Sequence, residues 1–481
     1  MKKTVVLYPG LAVSHFVPMV QLADVLLEEG YAVVVAFIDP TLKGDISLAA
    51  VIDRVAASKP SVVFHMLPRT EDSPTFVHDS EFIIRYLEIV GRYSQHLHDF
   101  LLSMPPGSVH ALIVDMMSIE VLDVTSKLGI PAYAFFPPNA SHLAVSVQVQ
   151  AQASSVRSEG QPSFGELGDA PLNFHGVPSM PASHLNAEML EDPGRATFKA
   201  TMNMFRRIQE ANGILVNTFA SIEPRAVLAL SDPRSFPKMP PVYCIGPLVA
   251  GNGGQRTEKK HECLAWLDEQ PEHSVVFLCF GSTGAGIHSE EQLKEIATGL
   301  ERSGHRFLWV VRAPPHDDPE KPFDPRADPD LDALLPAGFL DRTGGRGRVV
   351  KLWAPQVDVL HHAATGAFVT HCGWNSVLEG IVAGVPMLCW PLYAEQKMNK
   401  VLMVEEYAVG VEMVGWQQGL VKAEEVEAKV RLVMESEEGK QLRAQVSKHK
   451  EGAAMAWKDG GSSRAAFAQF LSHASNLSRR G

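Results

Sequence analysis

Two doubly wound α/β domains are what this sequence predicts, and three observations predict them. Short apolar runs rich in β-branched residues alternate with stretches of helical periodicity. The alternation halts at a Pro- and Gly-rich segment near residue 240 and then begins again. Polar and aromatic residues gather where the apolar runs end. Strands of a parallel sheet are covered by helices on both faces, so they read as unbroken apolar runs. An alternation that occurs twice gives two such sheets.

The first strand is Thr4 to Tyr8, closed by Pro9-Gly10. Met19, Leu22, Ala23 and Leu26 recur at helical spacing until Gly30, and Ala32 to Ile38 is the second apolar run. This is a strand–helix–strand unit. Val62 to Leu67, His110 to Asp115, Ala132 to Phe136 and Gly213 to Thr218 continue the series. Residues 232 to 254 hold Pro233, Pro237, Pro240, Pro241 and Pro247, then Gly251, Gly253 and Gly254, a linker composition with a short strand, Val242 to Ile245, inside it. Ser274 to Phe280, Arg306 to Val311, Arg348 to Leu352, Ala367 to Thr370 and Pro386 to Trp390 are the strands of the second domain. Two such domains face each other across a cleft, and ligands bind outside the carboxyl ends of the strands.

Bulk properties narrow the function. With 481 residues the chain exceeds one ordinary core. A formal charge of -12 argues against a nucleic-acid partner, which needs a basic surface. The apolar run after Met1-Lys2-Lys3 stops at Tyr8-Pro9-Gly10, too short for a signal peptide, and no stretch of about 18 apolar residues follows. No membrane partner and a cytoplasmic location are expected. The five cysteines include no C-x-x-C pair and read as reduced packing residues.

The chemistry sits at the strand ends. Phe280 to Gly286 runs G-x-x-G-x-G after a strand, and its backbone N–H groups with the Ser282 hydroxyl suit a phosphate. The spacing is not the dinucleotide G-x-G-x-x-G, and a plain strand-to-helix turn is the competing reading. Three more strand ends lie between Trp353 and Gln396. The first leads into Trp353-Ala354-Pro355-Gln356 and the second into His371-Cys372-Gly373-Trp374-Asn375-Ser376. The third precedes Glu395-Gln396. Asn375-Ser376 opens a helix whose N-terminus suits a diphosphate. Glu379, one turn on, is placed to accept hydrogen bonds from a sugar diol. Alternatively, Ser376-x-x-Glu379 is a capping box and His371 a structural histidine.

This stretch spans 44 residues and resembles the plant secondary-product glycosyltransferase signature. Further likeness lies in Pro9-Gly10 with His15-x-x-Pro18, in Leu335-Pro336-x-Gly338-Phe339, and in Gly460-Gly461-Ser462-Ser463 before the last helix. The chain is similar to plant UDP-dependent family 1 glycosyltransferases of the GT-B fold. It departs from them at Ala12-Val13-Ser14-His15, where Gly-x-Gly-His is usual, and at Glu395, where Asp is commoner.

The resemblance implies an acceptor-binding domain over 1–240, a linker over 241–255, a UDP-sugar domain over 256–455, and a helix over 456–481 that packs back on the first domain. It implies that Trp353 stacks on uracil while Ala354 and Gln356 hydrogen-bond uracil or ribose. Glu379 holds the ribose hydroxyls. Ser282, His371, Asn375 and Ser376 bind the diphosphate, and Trp374, Glu395 and Gln396 meet the sugar. Gln396 goes with glucose in this family. His15, after the first strand, is the implied general base, and Asp115, at another strand end, fixes its tautomer. Otherwise His15 is structural and Asp115 an N-cap.

The expected activity is inverting transfer of glucose from UDP-glucose to a small hydroxylated aromatic acceptor, a plant phenolic or flavonoid, by a monomer without metal or other cofactor. Asp328-Pro329-Asp330 has the D-x-D spacing of metal-dependent transferases but lies in a Pro-rich loop, away from any strand end. A UDP-sugar epimerase, another UDP-hexose and C- or N-glycosylation are the alternatives. An oxidoreductase lacks its G-x-G-x-x-G here. Phe16, Met116, Met117, Phe135 and Phe136 either line an apolar acceptor pocket or fill the core.

Overall fold

The computed structural model describes residues 2–40, 46–70, 81–154, 162–249, 260–281, 287–314 and 327–478. The chain divides into two compact units, Met1–Ala250 with Met455–Gly481, and Gly251–Ala454. In chain order the strands are β1 (Thr4–Tyr8), β2 (Ala32–Phe37), β3 (Val63–Met66), β4 (Val109–Asp115), β5 (Ala132–Phe136), β6 (Pro171–Leu172), β7 (Met180–Pro181), β8 (Ile214–Val216) and β9 (Val242–Cys244). The second unit holds β10 (Val275–Cys279), β11 (Arg306–Val311), β12 (Gly347–Lys351), β13 (Thr365–Thr370), β14 (Met387–Cys389) and β15 (Gly410–Glu412).

The first unit carries a seven-stranded sheet in the order β3-β2-β1-β4-β5-β8-β9. Every pairing in it is parallel. β1 and β5 are buried along their whole length because helices cover both faces, whereas β3 at the edge is largely exposed. Strand order reverses between β1 and β4, and the carboxyl ends of those two strands flank the place where such sheets bind ligands. The closing helix Ser462–Ser478 packs on β9 and β4 and buries Phe467, Phe470 and Ala474, one face at helical spacing. Tyr243 OH meets His473 Nδ1 at 3.0 Å, and Ser463 donates to the Gly246 carbonyl.

The second unit repeats the plan with six parallel strands in the order β12-β11-β10-β13-β14-β15. Its reversal falls between β10 and β13. Phe307, Trp309, Leu278, Val369 and Leu388 fill the core beneath it.

Two elements differ from the sequence reading. The short strand in the Pro-rich segment, β9, pairs in parallel with β8 and finishes the first sheet, so these residues belong to the first unit's core. Its three residues are apolar enough to bury, and the adjoining prolines sit outside the paired stretch. β15 had no sequence signal, because three residues carry too little periodicity to read.

Candidate active site

In the first unit, the helix after β1 starts earlier than the sequence suggests. It spans Val13–Glu28, so His15 lies in its first turn and not in a preceding loop. That turn aims the imidazole at the end of β4. His15 Nδ1 lies 2.9 Å from Asp115 Oδ2 and 3.0 Å from Oδ1. A carboxylate only accepts, so Nδ1 carries the proton and Nε2 is the basic nitrogen. Asp115 is fully buried while the imidazole keeps 21% of its surface. Asp115 also accepts from the Met117 N–H at 2.9 Å, and so caps the following turn as well as holding the histidine. Asp115 is thus the N-cap of the alternative reading, and it also meets the histidine. Tyr86 OH accepts from the Leu11 N–H at 2.9 Å. Burial and the nearby Asp115 charge push the phenol well above its ordinary range.

The second unit builds its reversal around a different histidine. His371 follows β13 directly and is 7% exposed. A Cβ on Gly281 would stand 2.8 Å from its Nε2, and a Cβ on Gly373 only 2.5 Å away. The ring fits because both neighbours are glycine. Tyr393 stacks near it at 6.3 Å. Burial first, and Arg312 second, hold its pKa down to about 4, so the ring is neutral at ordinary pH. The helix Trp374–Ala383 begins here with Gly373 as its N-cap and no side-chain cap. Ser376 is thus inside the first turn, and the capping-box reading falls. The N-terminal N–H groups and the positive end of the dipole face the strand ends, as an anion site requires.

Beside it, Gln356 Nε2 donates to Ser376 Oγ at 2.9 Å and to Glu379 Oε2 at 2.6 Å. Burial raises the Glu379 carboxyl to about 7, against the pull of the Gln356 bond. Trp353 is 47% exposed, with its indole edge-on to His261 at 5.7 Å. An exposed indole offers a large flat apolar face. Ala354, next to it, is buried.

Among the described residues, five non-glycine residues have a left-handed backbone, and three fall in this stretch: Leu352 at φ 66°, Cys372 at φ 64° and Ala394 at φ 52°. Each follows one of the three strand ends. Such conformations cost about 1–3 kcal/mol each and collect at functional sites. After β14 the chain is tied by Gln396, 2% exposed, whose Oε1 accepts from the Leu392 and Tyr393 N–H groups at 2.9 Å each. Asn399 Nδ2 donates to the Cys372 carbonyl at 2.9 Å and lies 3.3 Å from Glu395 Oε1.

A family model for UDP-glucoronosyl and UDP-glucosyl transferase matches residues 226–451. Over 480 residues the chain is 38% identical to the anthocyanidin 5,3-O-glucosyltransferase of a Rosa hybrid cultivar, covering 97% of each. The chain belongs to the UDP-glycosyltransferase family. It is also 37% identical over 490 residues to the phloretin 2'-O-glucosyltransferase of Pyrus communis, covering 98% of this chain and 99% of the relative. A UDP-glucosyltransferase of Polygonum tinctorium capable of glucosylating indoxyl, solved with 3,4-dichloroaniline, superposes with a TM-score of 0.85. The two are 33% identical, over 98% of this chain and 99% of that one. The fold is GT-B, and the enzyme takes a UDP-sugar as co-substrate.

Within this glycosyltransferase, Phe16, Phe135 and Phe136 are at most 1% exposed and Met116 is 5% exposed, so their side chains are packed in the core. Phe135 and Phe136 lie in β5, between β4 and β8, with both faces covered. Met117 is half-buried and keeps surface for a ligand. Ser282 lies outside the described residues. Trp374 is 3% exposed, its indole near Tyr407. Asn375 is half-buried in the first helical turn. Asp328 pairs with Lys351 at 2.9 Å and Asp330 caps the helix Leu331–Leu334. Among the described residues no group of three or more His, Cys, Asp or Glu is placed to hold a metal ion, and no helix is long and apolar enough to cross a membrane. Sequence reasoning missed Tyr86, Arg312, Tyr393 and Asn399. Arg312 had a signal, since it directly follows β11. Tyr86 sits mid-helix and had none.

Proposed function

We propose that this glycosyltransferase moves glucose from UDP-glucose to a hydroxyl of a small aromatic acceptor, a phenol or flavonoid, with inversion to the β-glucoside. The observation that carries the reading is the His15–Asp115 pair at the reversal point of the first sheet. The activities of these relatives, on anthocyanidin, phloretin and indoxyl, support the acceptor class.

Asp115 holds the Nδ1–H, and His15 Nε2 takes the proton from the acceptor hydroxyl. The oxygen forms its bond to the anomeric carbon as the bond from that carbon to the UDP oxygen breaks, and UDP leaves with the electron pair. The imidazolium formed is stabilised by the Asp115 carboxylate. A phenol, with pKa near about 10, gives up its proton more readily than an aliphatic alcohol. Charge growing on the diphosphate is met by the N-terminus of helix Trp374–Ala383, with Ser376, Asn375 and the neutral His371 beside it. Trp353 carries the uracil, and Gln356 and Glu379 take the ribose. Glu395, Gln396 and the backbone of Trp374 meet the glucose, and the occurrence of Gln at 396 supports that sugar. The helix dipole supplies the charge stabilisation, so the reaction is assigned as metal-independent. Five free cysteines suit a reducing cytoplasm, and a monomer suffices because each role falls to a residue of this chain.

The test is a panel of phenolic acceptors with UDP-glucose, read by mass spectrometry and UDP release. A glucoside whose formation requires acceptor and survives excess chelator is expected. An epimerised donor without acceptor would overturn transfer, and a strict need for a divalent cation would overturn the metal-free assignment.

A further inference from the structure

The corner that presents Trp353 is strained, and one side chain from a neighbouring strand pins it. The Trp353 N–H donates to the Lys351 carbonyl at 2.7 Å, closing a three-residue turn around Leu352. With φ at 66° on a branched residue, this is the rarer, costlier hand of γ-turn. Two contacts from the end of β11 hold it. The Leu352 N–H donates to the Val311 carbonyl at 2.8 Å, continuing the β11–β12 ladder by one residue. The Leu352 carbonyl accepts from Arg312 Nε at 3.1 Å. The first bond is ordinary backbone pairing. The second depends on a particular side chain, and it fixes the peptide plane from which Trp353 departs. Arg312 is half-buried and lines a cavity of about 20 Å³ with Cys279, Gly281 and His288, so it stands between the Trp353 corner and the glycine beside His371.

We infer that Arg312 is a positioning residue for donor binding, holding the left-handed Leu352 turn so that the Trp353 indole is set in place before the nucleotide arrives. This rests on the reading of Trp353 as the uracil platform. Its logic is pre-organisation: a turn that is unfavourable alone must be held by its surroundings, or binding must supply the cost. Arg312 also favours the neutral form of His371, the same direction as burial, so one side chain bears on both ends of the donor site.

The experiment measures uridine and UDP binding by calorimetry, with donor and acceptor KM, in the full-length enzyme. Arg312→Met is expected to weaken uridine and UDP alike by about tenfold, with acceptor KM unchanged. Arg312→Gln, neutral but still a donor to the Leu352 carbonyl, is expected to keep most of the affinity. Adding Leu352→Gly to Arg312→Met should restore much of the loss, because glycine adopts the left-handed turn at no steric cost. Weaker UDP with unchanged uridine would overturn the inference, since Arg312 would then act on phosphate charge. Equal losses for Gln and Met, or no rescue by glycine, would overturn it as well. Trp353→Ala separates the two readings. If it leaves uridine binding intact, the uracil platform itself falls and the inference with it. If it removes uridine binding while Arg312→Met does not, only the role of Arg312 falls.

Discussion

The two reversal points of this enzyme carry a histidine each, and the two are built for opposite purposes. His15 keeps 21% of its surface and leans on a buried carboxylate, which orients the ring through Nδ1 and leaves Nε2 as the basic nitrogen. His371 is 7% exposed, is wedged between two glycines, and feels Arg312 instead of an acid. The first environment suits a group that gains and loses a proton in each turnover. The second suits a neutral ring that stays neutral beside an anion. On the same kind of sheet edge, the imidazole proposed as the base leans on an aspartate, while the other is kept neutral first by burial and then by an arginine.

That contrast can be broken by experiment, most forcefully at the base. His15→Ala is expected to lower kcat by about 10²–10⁴-fold while UDP binding, measured by calorimetry, stays as it was. Near-wild-type turnover on a phenol would remove the base from His15. Asp115→Asn comes next. An amide can donate to Nδ1 and favour the wrong tautomer, so kcat should fall by about 10²-fold with acceptor KM little changed, read by steady-state kinetics. Gly373→Ala tests the other histidine. Its Cβ would stand 2.5 Å from His371 Nε2, so UDP affinity should drop by about tenfold as the ring is displaced, with a proton-transfer step unaltered in single turnover at saturating donor.

The smallest effect concerns Glu379. Burial raises its pKa from 4.5 to about 7, so the folded chain keeps a proton that the unfolded chain releases. The contribution to stability is whole below pH 4.5, is lost as pH rises through 7, and is level above that. Glu379→Gln should therefore be more stable than wild type at pH 8 by about 1 kcal/mol, a gain that vanishes near pH 4.5 in denaturant titrations. A pH-independent difference would show that burial of the carboxylate is not its cause.

The stretch from Trp353 to Gln396 was legible because strand ends, glycines and a helix start follow one another in the chain, and local order is what sequence displays. In the sequence Gly281 belongs to a glycine-rich loop suited to a phosphate and Gly373 to the turn after a strand; the fold shows each to be one wall of the slot for His371. Four of the five residues offered for the acceptor show the opposite case. Phe135 and Phe136 stand next to a functional strand end, yet lie within β5, and proximity along the chain does not reveal which face is covered. Tyr86 reaches the Leu11 N–H across 75 positions from the middle of a helix, a contact that nothing in its neighbourhood announces.

The amino-acid order by itself determined the alternation of strands and helices, and so the two parallel sheets. It also determined the residues at their carboxyl ends, because burial on both faces writes itself as apolar runs and the exceptions stand out at their tips. Tertiary structure alone decided that His15 meets Asp115 at 2.9 Å, that β9 closes the first sheet, and that Arg312 reaches the Leu352 carbonyl. Those outcomes depend on which strands lie side by side, and strand order is fixed by packing between segments far apart in the chain, where local periodicity carries no record.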